Sequence, residues 1–455
     1  MNTYDKRIAF LISDQHFIPH GGIGSFCKSF TEMCGRIRWK VDVILDKAPT
    51  GSFTEIIENA GANIIYAEEP LKYTFHTSTF QNNDTVNGWK ISNFVMALHK
   101  AMTTNMYDMI VCNTQEAMSA AYLWKLNSSI PVVFYTHLHS MIFRESQGSD
   151  VFLDSYHNFY NKHMEFDDII IGTQSQKNID ELTKHGATNC KLLPMPMSER
   201  GLLEPYTGTR KGVLFIGRWE EGKNPDAYIK VMKECQLPCK VMTNSNGQKK
   251  FEEAFKEAGI TDYEIRAGIT GQEKVDFIRS SSVFFMPSLR ENYPFAFLEC
   301  IGHMPCFVLD TQDWSDNFEK KFKFFNAKLK DVSRLIVEAY NTLPEKYYEN
   351  TKALDKVKEL DDNVAKEWIT FLDNFVGRRS NVNTAKINSY TTVKYSDYLD
   401  ELNRGHYNRD DYISAYNNRY KFCNIVYTDK NTYLSKDPTF VPEEDTTGID
   451  LFQFV

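Results

Sequence analysis

Short apolar runs alternate with amphipathic stretches along most of the chain. Runs of about four to six Val, Ile, Leu, Phe or Met residues, bounded by Pro, Gly or charged residues, are typical of strands buried on both faces. The clearest example covers residues 283–308. Its first run, Val283–Met286, ends at Pro287. A helix is predicted from Phe295, and a second run follows at Cys306–Leu309. This order predicts one βαβ unit of a parallel sheet.

The same alternation fills two halves of the chain and predicts an α/β fold with two Rossmann-like domains. In the first half we predict strands at Ile8–Ile12, Val41–Leu45, Asn63–Tyr66, Met109–Cys112, Val132–Tyr135 and Ile169–Gly172. In the second half we predict strands at Gly212–Ile216, Lys240–Thr243, Glu264–Ala267, Val283–Met286 and Cys306–Leu309. The proline- and glycine-containing segment 196–210 is the predicted linker.

These elements set the predicted domain limits. We assign residues 1–200 to a first Rossmann-like domain, 201–363 to a second, 364–380 to a closing helix and 381–455 to a C-terminal extension. The extension is rich in Tyr and Asn up to about residue 440, which favours a partly ordered appendage.

Composition narrows the class of protein. With 42% hydrophobic and 25% charged residues, the 455-residue chain is an ordinary globular protein. Its net charge of −8 argues against a broadly basic nucleic-acid binder. The first residues read as a strand rather than a signal peptide, and no apolar run is long enough to span a membrane. The nine cysteines lack metal-ligand spacing, so we expect reduced thiols, a cytoplasmic location, and neither a metal nor a resident cofactor.

Two carboxylates follow the strand Val283–Met286, eight positions apart. Glu291 lies in the predicted loop and Glu299 in the helix that follows it. The carboxyl edge of a parallel sheet is where α/β folds bind ligands. Because a carboxylate can accept two hydroxyl hydrogen bonds, this pair suits a sugar or a ribose.

Two cations follow another predicted strand. Gly212–Ile216 runs into Gly217, Arg218 and, before a predicted helix start, Lys223. Arginine and lysine beside a helix start favour an anion, and a diphosphate fits both. A diphosphate site and a polyol site in one domain suggest a nucleotide-sugar. The alternative is that these four charges are ordinary surface residues on loops.

The patterns G-R-(four residues)-K-N, starting at Gly217, and E-(seven residues)-E, starting at Glu291, together resemble the retaining GT-B glycosyltransferases of the sucrose-synthase and glycogen-synthase type. The resemblance implies two Rossmann-like domains facing a cleft. It further implies that Arg218 and Lys223 bind the diphosphate, Glu299 the ribose and Glu291 the donor sugar. We include Asn292 and Tyr293 in the predicted donor site.

Two glycine-containing segments extend this predicted site. Gly21, Gly22, Ile23 and Gly24 follow the first strand, and such a loop lets backbone N–H groups approach a phosphate or sugar closely. A plain turn is the alternative. In the family a similar loop faces the cleft. The resemblance also implies that Gly268 and Ile269 meet the nucleotide base through their backbone.

A histidine lies just past the strand Val132–Tyr135. His137 is therefore expected at the catalytic edge, with a satisfied core histidine as the alternative. Residues 132–140 resemble a Tyr-x-His-x-His-Ser stretch of the T-even phage DNA α-glucosyltransferases, except that Leu138 stands where those enzymes carry an Asp. That departure leaves His137 as the preferred residue.

This second resemblance implies a specific reaction. A sugar of the glucose or arabinose type would pass from a UDP-sugar to 5-hydroxymethylcytosine in double-stranded phage DNA, with the base flipped out of the duplex. The predicted catalytic residues are His137, Arg218, Lys223 and Glu291. The protein would act in the host cytoplasm. Two alternatives stay open: a cytoplasmic glycosyltransferase of polysaccharide or lipopolysaccharide synthesis, and an inactive GT-B domain used for binding.

Two further segments have candidate roles. The chain ends in an acidic stretch followed by the apolar residues Ile449, Leu451, Phe452 and Phe454. This end resembles sliding-clamp-binding peptides without their leading Gln, and packing on the chain's own body is the alternative. The basic-aromatic segment Lys320–Lys330 is either a phosphate-binding patch or an amphipathic surface segment with its Phe side chains in the core.

Overall fold

The structure is a computed structural model of the 455-residue chain. It describes residues 4–19, 22–51, 53–67, 93–94, 97–98, 100–102, 104–114, 117, 121, 130–137, 169–184, 189–289, 291, 293–310, 321–342, 351–376, 393–394, 424–427 and 432–435. Its contacts divide the chain into two compact units. The first consists of Met1–Ile18, Phe30–Pro194 and Glu367–Val455, and the second of Pro19–Ser29 and Met195–Lys366.

The first unit is built on a seven-stranded parallel sheet in the spatial order β3-β2-β1-β4-β5-β6-β7. Its strands are β1 (Lys6–Leu11), β2 (Trp39–Leu45), β3 (Asn63–Tyr66), β4 (Met109–Cys112), β5 (Val132–Thr136), β6 (Ile169–Thr173) and β7 (Cys190–Leu192). The central strands are apolar and buried along their length, as expected of a sheet covered on both faces.

Three helices of this half of the chain are described: α1 (Gly22–Arg36), α2 (Phe53–Asn59) and α3 (Gln176–Lys184). From α1, the ring of Phe30 packs on that of Phe10 with centroids 5.4 Å apart. On the other side it meets the fully buried indole of Trp368, at 4.9 Å. The core of this unit therefore includes a residue far along the chain.

The second unit contains a six-stranded parallel sheet in the order β10-β9-β8-β11-β12-β13. Its strands are β8 (Val213–Ile216), β9 (Cys239–Thr243), β10 (Tyr263–Ala267), β11 (Val283–Met286), β12 (Cys306–Leu309) and β13 (Phe325–Ala327). The helices are α4 (Pro225–Cys235), α5 (Ser245–Ala258), α6 (Gly271–Arg279), α7 (Phe295–Ile301) and α8 (Leu329–Asn341). A further helix, α9 (Thr351–Val376), belongs to this unit up to Lys366 and to the first unit from Glu367.

Strand β11 illustrates why this sheet is buried on both faces. Val283 and Phe285 belong to one hydrophobic cluster, and Phe284 and Met286 to the other. Successive side chains of a strand point to opposite faces, so an uninterrupted apolar run is what two covered faces require. In both sheets the strand order reverses beside the first strand, between β1 and β4 and between β8 and β11. Ligands of such folds bind at the carboxyl ends of these strand pairs.

The predicted fold class, α/β with two Rossmann-like domains, is confirmed. Every predicted strand is present within one or two residues of its predicted ends. Two edge strands, β7 and β13, were not predicted. The closing helix begins at Thr351 rather than at residue 364, and α1 begins at Gly22 rather than after the glycine segment. The contacts divide the chain at Pro194, just before the predicted linker.

The C-terminal extension contributes a small antiparallel sheet in the order β14-β16-β15. Its strands are β14 (Val393–Lys394), β15 (Asn424–Tyr427) and β16 (Thr432–Ser435). Among the helices that the structure describes, not one combines the length and the apolarity needed to cross a bilayer. In the same ranges no disulfide forms, and burial raises the pKa of the Cys235 and Cys239 thiols to about 12.

Candidate functional site

The loops after β8 and β11 lie side by side, because these two strands are neighbours in the sheet. They are also hydrogen-bonded to each other. The N–H of Leu289 donates to the carbonyl of Gly222 at 2.9 Å, and Nδ2 of Asn224 donates to the carbonyl of Pro287 at 3.2 Å. The carboxyl edge of the sheet, at the point where the strand order reverses, is thus formed by two loops that are hydrogen-bonded to each other.

The first loop turns sharply into helix α4. A short 3₁₀ turn, Glu221–Lys223, ends at Asn224, whose backbone is left-handed (φ 53°, ψ 53°). Asparagine tolerates this conformation better than most residues, and Pro225 then begins the helix with its φ already fixed. The Lys-Asn-Pro order in the sequence is therefore explained by this turn. The turn directs the Lys223 side chain back along the loop.

Gly217 lets that side chain lie close to the end of β8. Its N–H continues the sheet by donating to the carbonyl of Met242 at 3.0 Å. A Cβ at this position would stand 3.3 Å from Cγ of Lys223 and 3.3 Å from the ring of Phe215. Glycine in the G-R pattern is thus explained by the packing of the Lys223 stem.

Lys223 and Glu291 form an ion pair across the two loops. The ammonium nitrogen lies 2.7 Å from Oε1 and 2.9 Å from Oε2 of the carboxylate. The Glu291 side chain is 10% exposed and that of Lys223 26%. The structure thus brings together one predicted diphosphate ligand and one predicted sugar ligand.

Arg218 has a different environment. Its guanidinium is 65% exposed and pairs with Glu220 in the same loop, with Nη2 3.1 Å from Oε2. The predicted second cation therefore shares the loop of Lys223, but its ion pair is with Glu220 and not with Glu291. Tyr293, also predicted for this site, packs its ring on Phe295 at 5.1 Å, and Asn292 lies outside the described residues.

Glu299 is buried in helix α7, where its neighbours Phe297, Leu298 and Cys300 belong to the core. Its Oε1 accepts a hydrogen bond from Lys274 Nζ at 2.6 Å and another from the Ser198 hydroxyl. Lys274 Nζ also donates to Ser198 Oγ at 3.0 Å. The two predicted carboxylates thus have separate lysine partners, and the lysine of Glu299 was not predicted.

The polar network extends from Ser198 to helix α1 and to the first residue of α6. Glu199 accepts a hydrogen bond from Lys28 of α1 at 3.0 Å and another from the N–H of Gly271, the first residue of α6, also at 3.0 Å. Lys28 donates in addition to the carbonyl of Ser198 at 3.3 Å. All these residues belong to the second unit, because that unit includes Pro19–Ser29.

The glycine segments have distinct placements. Gly22, Ile23 and Gly24 form the first turn of α1, and Gly21 lies outside the described residues. The predicted open loop is therefore the start of a helix, whose first N–H groups have no partner within the helix. A Cβ at Gly22 would meet no atom within 4 Å.

Gly268 has a positive φ of 67°, and its N–H donates to the carbonyl of Thr243 at 2.9 Å. This bond links the loop after β10 to the end of β9. Ile269 packs partly buried against the core. The pair thus occupies the carboxyl edge of the second sheet, as predicted from its place after a strand.

His137 lies in the first unit, at the carboxyl edge beyond β5. Its Nε2 is 2.9 Å from Oδ1 of Asn113, while Nδ2 of Asn113 donates to the carbonyl of Leu11 at 3.1 Å. An amide oxygen only accepts, so Nε2 carries the proton. Burial, together with the nearby His16, lowers the pKa of His137 to about 3, so the imidazole is neutral near pH 7. The ring packs on Tyr135 at 4.9 Å.

Several predictions fall outside the described residues: Leu138, and the apolar tail residues Ile449, Leu451, Phe452 and Phe454. For the basic-aromatic segment, the described part agrees with the amphipathic alternative. Phe322 is buried against Phe297 with ring centroids 6.2 Å apart, and Phe324 packs on the same ring at 5.0 Å.

Sequence reasoning missed Ser198, Glu199, Lys274 and Lys28. Ser198 and Glu199 stood in the segment assigned to the linker, and Lys274 has the spacing of an ordinary helix surface residue. Lys274 meets Glu299 across 25 positions and Ser198 across 76. A single sequence carries no local signal for pairs so far apart.

Comparison with known proteins finds similarity in structure alone. A scan against protein-family models and a search of curated proteins both found no match to the sequence. Among solved structures, sucrose-phosphate synthase from Thermosynechococcus elongatus matches with a TM-score of 0.61 at 13% identity, covering 82% of this chain and 99% of the other.

Two further structures match over similar lengths. Anabaena HepE, solved with UDP and glucose, has a TM-score of 0.55 at 13% identity, covering 80% of this chain and 100% of the other. WaaG, a glycosyltransferase of lipopolysaccharide biosynthesis, has a TM-score of 0.51 at 12% identity, covering 80% and 99%. At these identities the likeness defines the fold: this chain has the architecture of the GT-B glycosyltransferases.

Proposed function

We propose that the protein is a retaining glycosyltransferase that uses a UDP-sugar donor. The observation that supports this proposal best is the Lys223–Glu291 ion pair. Its two residues lie on hydrogen-bonded loops at the point where the strand order of the second sheet reverses. An ammonium group and a carboxylate at that edge suit a ligand with both a diphosphate and hydroxyl groups. HepE, which has the same architecture, was solved with UDP and glucose.

The chemistry we assign to the pair follows from counting donors and acceptors. An ammonium group has three donors, and Glu291 takes two of those of Lys223. The third is available to a phosphate oxygen, and the carboxylate oxygens have lone pairs left for sugar hydroxyls. As the bond to the diphosphate breaks, negative charge grows on the leaving group, and Lys223 with Arg218 would stabilise it. Our proposal assigns this role to the two cations rather than to a metal ion.

The transferred sugar would keep its anomeric configuration. Retaining glycosidases form a covalent intermediate on a carboxylate, whereas the resemblance implies no dedicated carboxylate nucleophile here. We assign His137 a place beside the transferred sugar on the strength of that resemblance. A neutral imidazole at this place would add no charge beside the sugar.

For the acceptor we propose 5-hydroxymethylcytosine in double-stranded DNA, with glucose or an arabinose-type pentose as the sugar. The support is the likeness of residues 132–140 to the phage DNA α-glucosyltransferases. A base inside a duplex is out of reach, so the enzyme would flip it out. The second candidate is a glycan acceptor in polysaccharide or lipopolysaccharide synthesis, which the structural likeness to WaaG favours.

One experiment separates these acceptors. The protein is incubated with a panel of UDP-sugars and either hydroxymethylated duplex DNA or a lipopolysaccharide core oligosaccharide, and products are identified by mass spectrometry. We expect a hexose or pentose mass added to hydroxymethylcytosine, and none in Lys223→Ala. Lys230→Ala, an exposed lysine of α4, serves as the matched control and keeps activity. Transfer to the oligosaccharide alone would replace the DNA proposal by the glycan one, and no transfer from any UDP-sugar would contradict both.

We also propose that the C-terminal tail docks on a sliding clamp. An acidic stretch that ends in the apolar residues Ile449, Leu451, Phe452 and Phe454 has the composition of a docking peptide. Full-length protein should be retained on an immobilised clamp, while a chain ending at residue 441 should not. Equal retention of both would place any clamp contact elsewhere.

A further inference from the structure

The side chain of Glu299 is only 3% exposed, and its helix neighbours Phe297, Leu298, Cys300 and Ile301 belong to the core. Burying a carboxylate is unfavourable unless it is paired and hydrogen-bonded. Glu299 receives two donors, the Lys274 ammonium at 2.6 Å and the Ser198 hydroxyl. Both donate to the same oxygen, Oε1.

Two donors on one oxygen define the direction of the whole carboxylate, because the group is planar. Within the described ranges, no residue donates a hydrogen bond to Oε2 of Glu299. Oε2 therefore keeps its full acceptor capacity, and Oε1 keeps little. A purely structural ion pair would not require donors on one side alone.

The donors are themselves held in place. Lys274 Nζ donates to Ser198 Oγ, and Lys28 donates to the carbonyl of Ser198. Three residues before Lys274, the first residue of α6 is Gly271, which is left-handed with a φ of 60° and donates its N–H to Glu199 at 3.0 Å. The start of α6, the helix that carries Lys274, is thus hydrogen-bonded to the residue next to Ser198.

We propose that Lys274 and Ser198 are positioning residues that orient Glu299 toward the two vicinal hydroxyls of a ribose. The site would thereby select a ribonucleoside diphosphate over its 2′-deoxy counterpart. This inference rests on the proposed function, because it takes Glu299 as the ribose ligand of the donor. It adds the residues that give the carboxylate its direction and the substrate feature that they select.

The test compares binding of UDP with binding of 2′-deoxy-UDP by calorimetry, using the full-length chain. Wild-type protein should bind UDP at least about tenfold more tightly, since the deoxynucleotide leaves one hydrogen bond to a charged group unmade. Ser198→Ala removes one neutral donor and leaves the charges paired, so the chain should fold. Lys274→Arg keeps the charge but not the point-like geometry of the ammonium. In both variants the preference should fall below about threefold.

Lys240→Met provides the matched control. Lys240 is also a buried lysine bonded to α6, with Nζ 2.9 Å from the carbonyl of Phe277 and 2.8 Å from Ser280 Oγ. Its loss perturbs the same helix without touching Glu299, so UDP preference should stay at the wild-type value even if stability falls. Circular dichroism confirms that each variant is folded.

The outcomes separate this inference from the proposed function. If Ser198→Ala and Lys274→Arg keep the wild-type preference, or if wild-type protein binds both nucleotides equally, the positioning role is wrong while UDP binding stands. If wild-type protein binds neither nucleotide, the proposed function itself fails. A preference lost equally in Lys240→Met would reduce Lys274 to a structural residue and overturn the inference.

Discussion

Asn224 determines how Lys223 meets the neighbouring loop. Its left-handed backbone reverses the chain ahead of Pro225, and its side-chain amide donates to the carbonyl of Pro287 in the second loop. A residue before proline normally avoids helical conformations, so this geometry requires external support. The hydrogen bond across the loops supplies it.

That dual role predicts an order of stability for two substitutions. Asn224→Gly loses the side-chain hydrogen bond but tolerates the left-handed backbone. Asn224→Ala loses the bond and also strains the backbone, so it should lower the free energy of unfolding by about 1 kcal/mol more than Asn224→Gly. Urea denaturation of both variants measures the difference. An alanine variant at least as stable as the glycine variant would show that the turn is not strained.

The buried His303 leads us to predict that the free energy of unfolding depends on pH. Burial lowers its pKa to about 4, and its Nε2 lies 2.7 Å from the carbonyl of Leu202. In the unfolded chain the pKa is about 6.5, so between these values the unfolded state binds more protons. Stability is therefore full above about pH 6.5 and is lost as pH falls toward 4, by roughly 3 kcal/mol from this group.

The measurement is the free energy of unfolding at intervals from pH 7 to pH 4, for wild-type protein and His303→Gln. Glutamine can still donate to Leu202 but does not titrate, so its curve should be flatter over this range. Parallel curves for the two proteins would mean that His303 does not titrate differently on folding.

At the scale of elements, helix α9 links the two units in sequence. Its residues up to Lys366 belong to the second unit and those from Glu367 to the first. In the first unit, Trp368 is fully buried, meets Phe30 edge-on and stacks on Tyr135. Its Nε1 donates to the carbonyl of Pro194 at 3.0 Å. The end of this helix thus packs into the core of the first unit, together with residues that come before Met195 in the sequence.

Trp368→Ala should lower the free energy of unfolding by about 3–5 kcal/mol, through the cavity that it leaves. Because the cavity lies in the first unit, amide hydrogen exchange should accelerate mainly in β1 and β5, and less in β8 and β11. Exchange mass spectrometry resolves these peptides. Equal acceleration in all four strands would indicate that the two units unfold as one.

The pattern of apolar residues predicted the interior strands well and the edges poorly. Strands β4 and β11 are buried along their full length and were predicted to the residue. The missed strands β7 and β13 are three-residue edge strands; β7 has no buried residue and β13 has one, so neither contains a buried apolar run. The missed first half of α9 did carry a signal, since the buried residues Leu354 and Val357 have helical spacing.

The candidate site divides in the same way. Lys223 and Glu291 were predicted together because each follows a strand end, and neighbouring parallel strands place such loops at one edge. Lys274 and Ser198 could not be predicted, because their meeting with Glu299 depends on tertiary packing over long sequence separations. The role of each residue in binding stays a prediction.

For the molecule as a whole, the DNA proposal must be reconciled with a net charge of −8. Binding to a duplex therefore requires a locally positive surface, and phosphate contacts release counterions. We expect affinity for hydroxymethylated duplex DNA to fall steeply from 50 to 200 mM salt. Fluorescence anisotropy measures this, with an oligosaccharide as the uncharged comparison. Absent or salt-independent binding would favour the glycan acceptor.

The central claim is that the hydrogen-bonded loops after β8 and β11 bind a nucleotide-sugar through Lys223 and Glu291. Calorimetric titration of UDP-glucose into wild-type protein, Lys223→Ala and the matched control Lys230→Ala tests it most directly. We predict saturable binding to wild-type protein and to Lys230→Ala, and affinity lower by at least about tenfold in Lys223→Ala, which loses a charge-assisted hydrogen bond. Equal affinity of all three proteins for UDP-glucose would contradict the account.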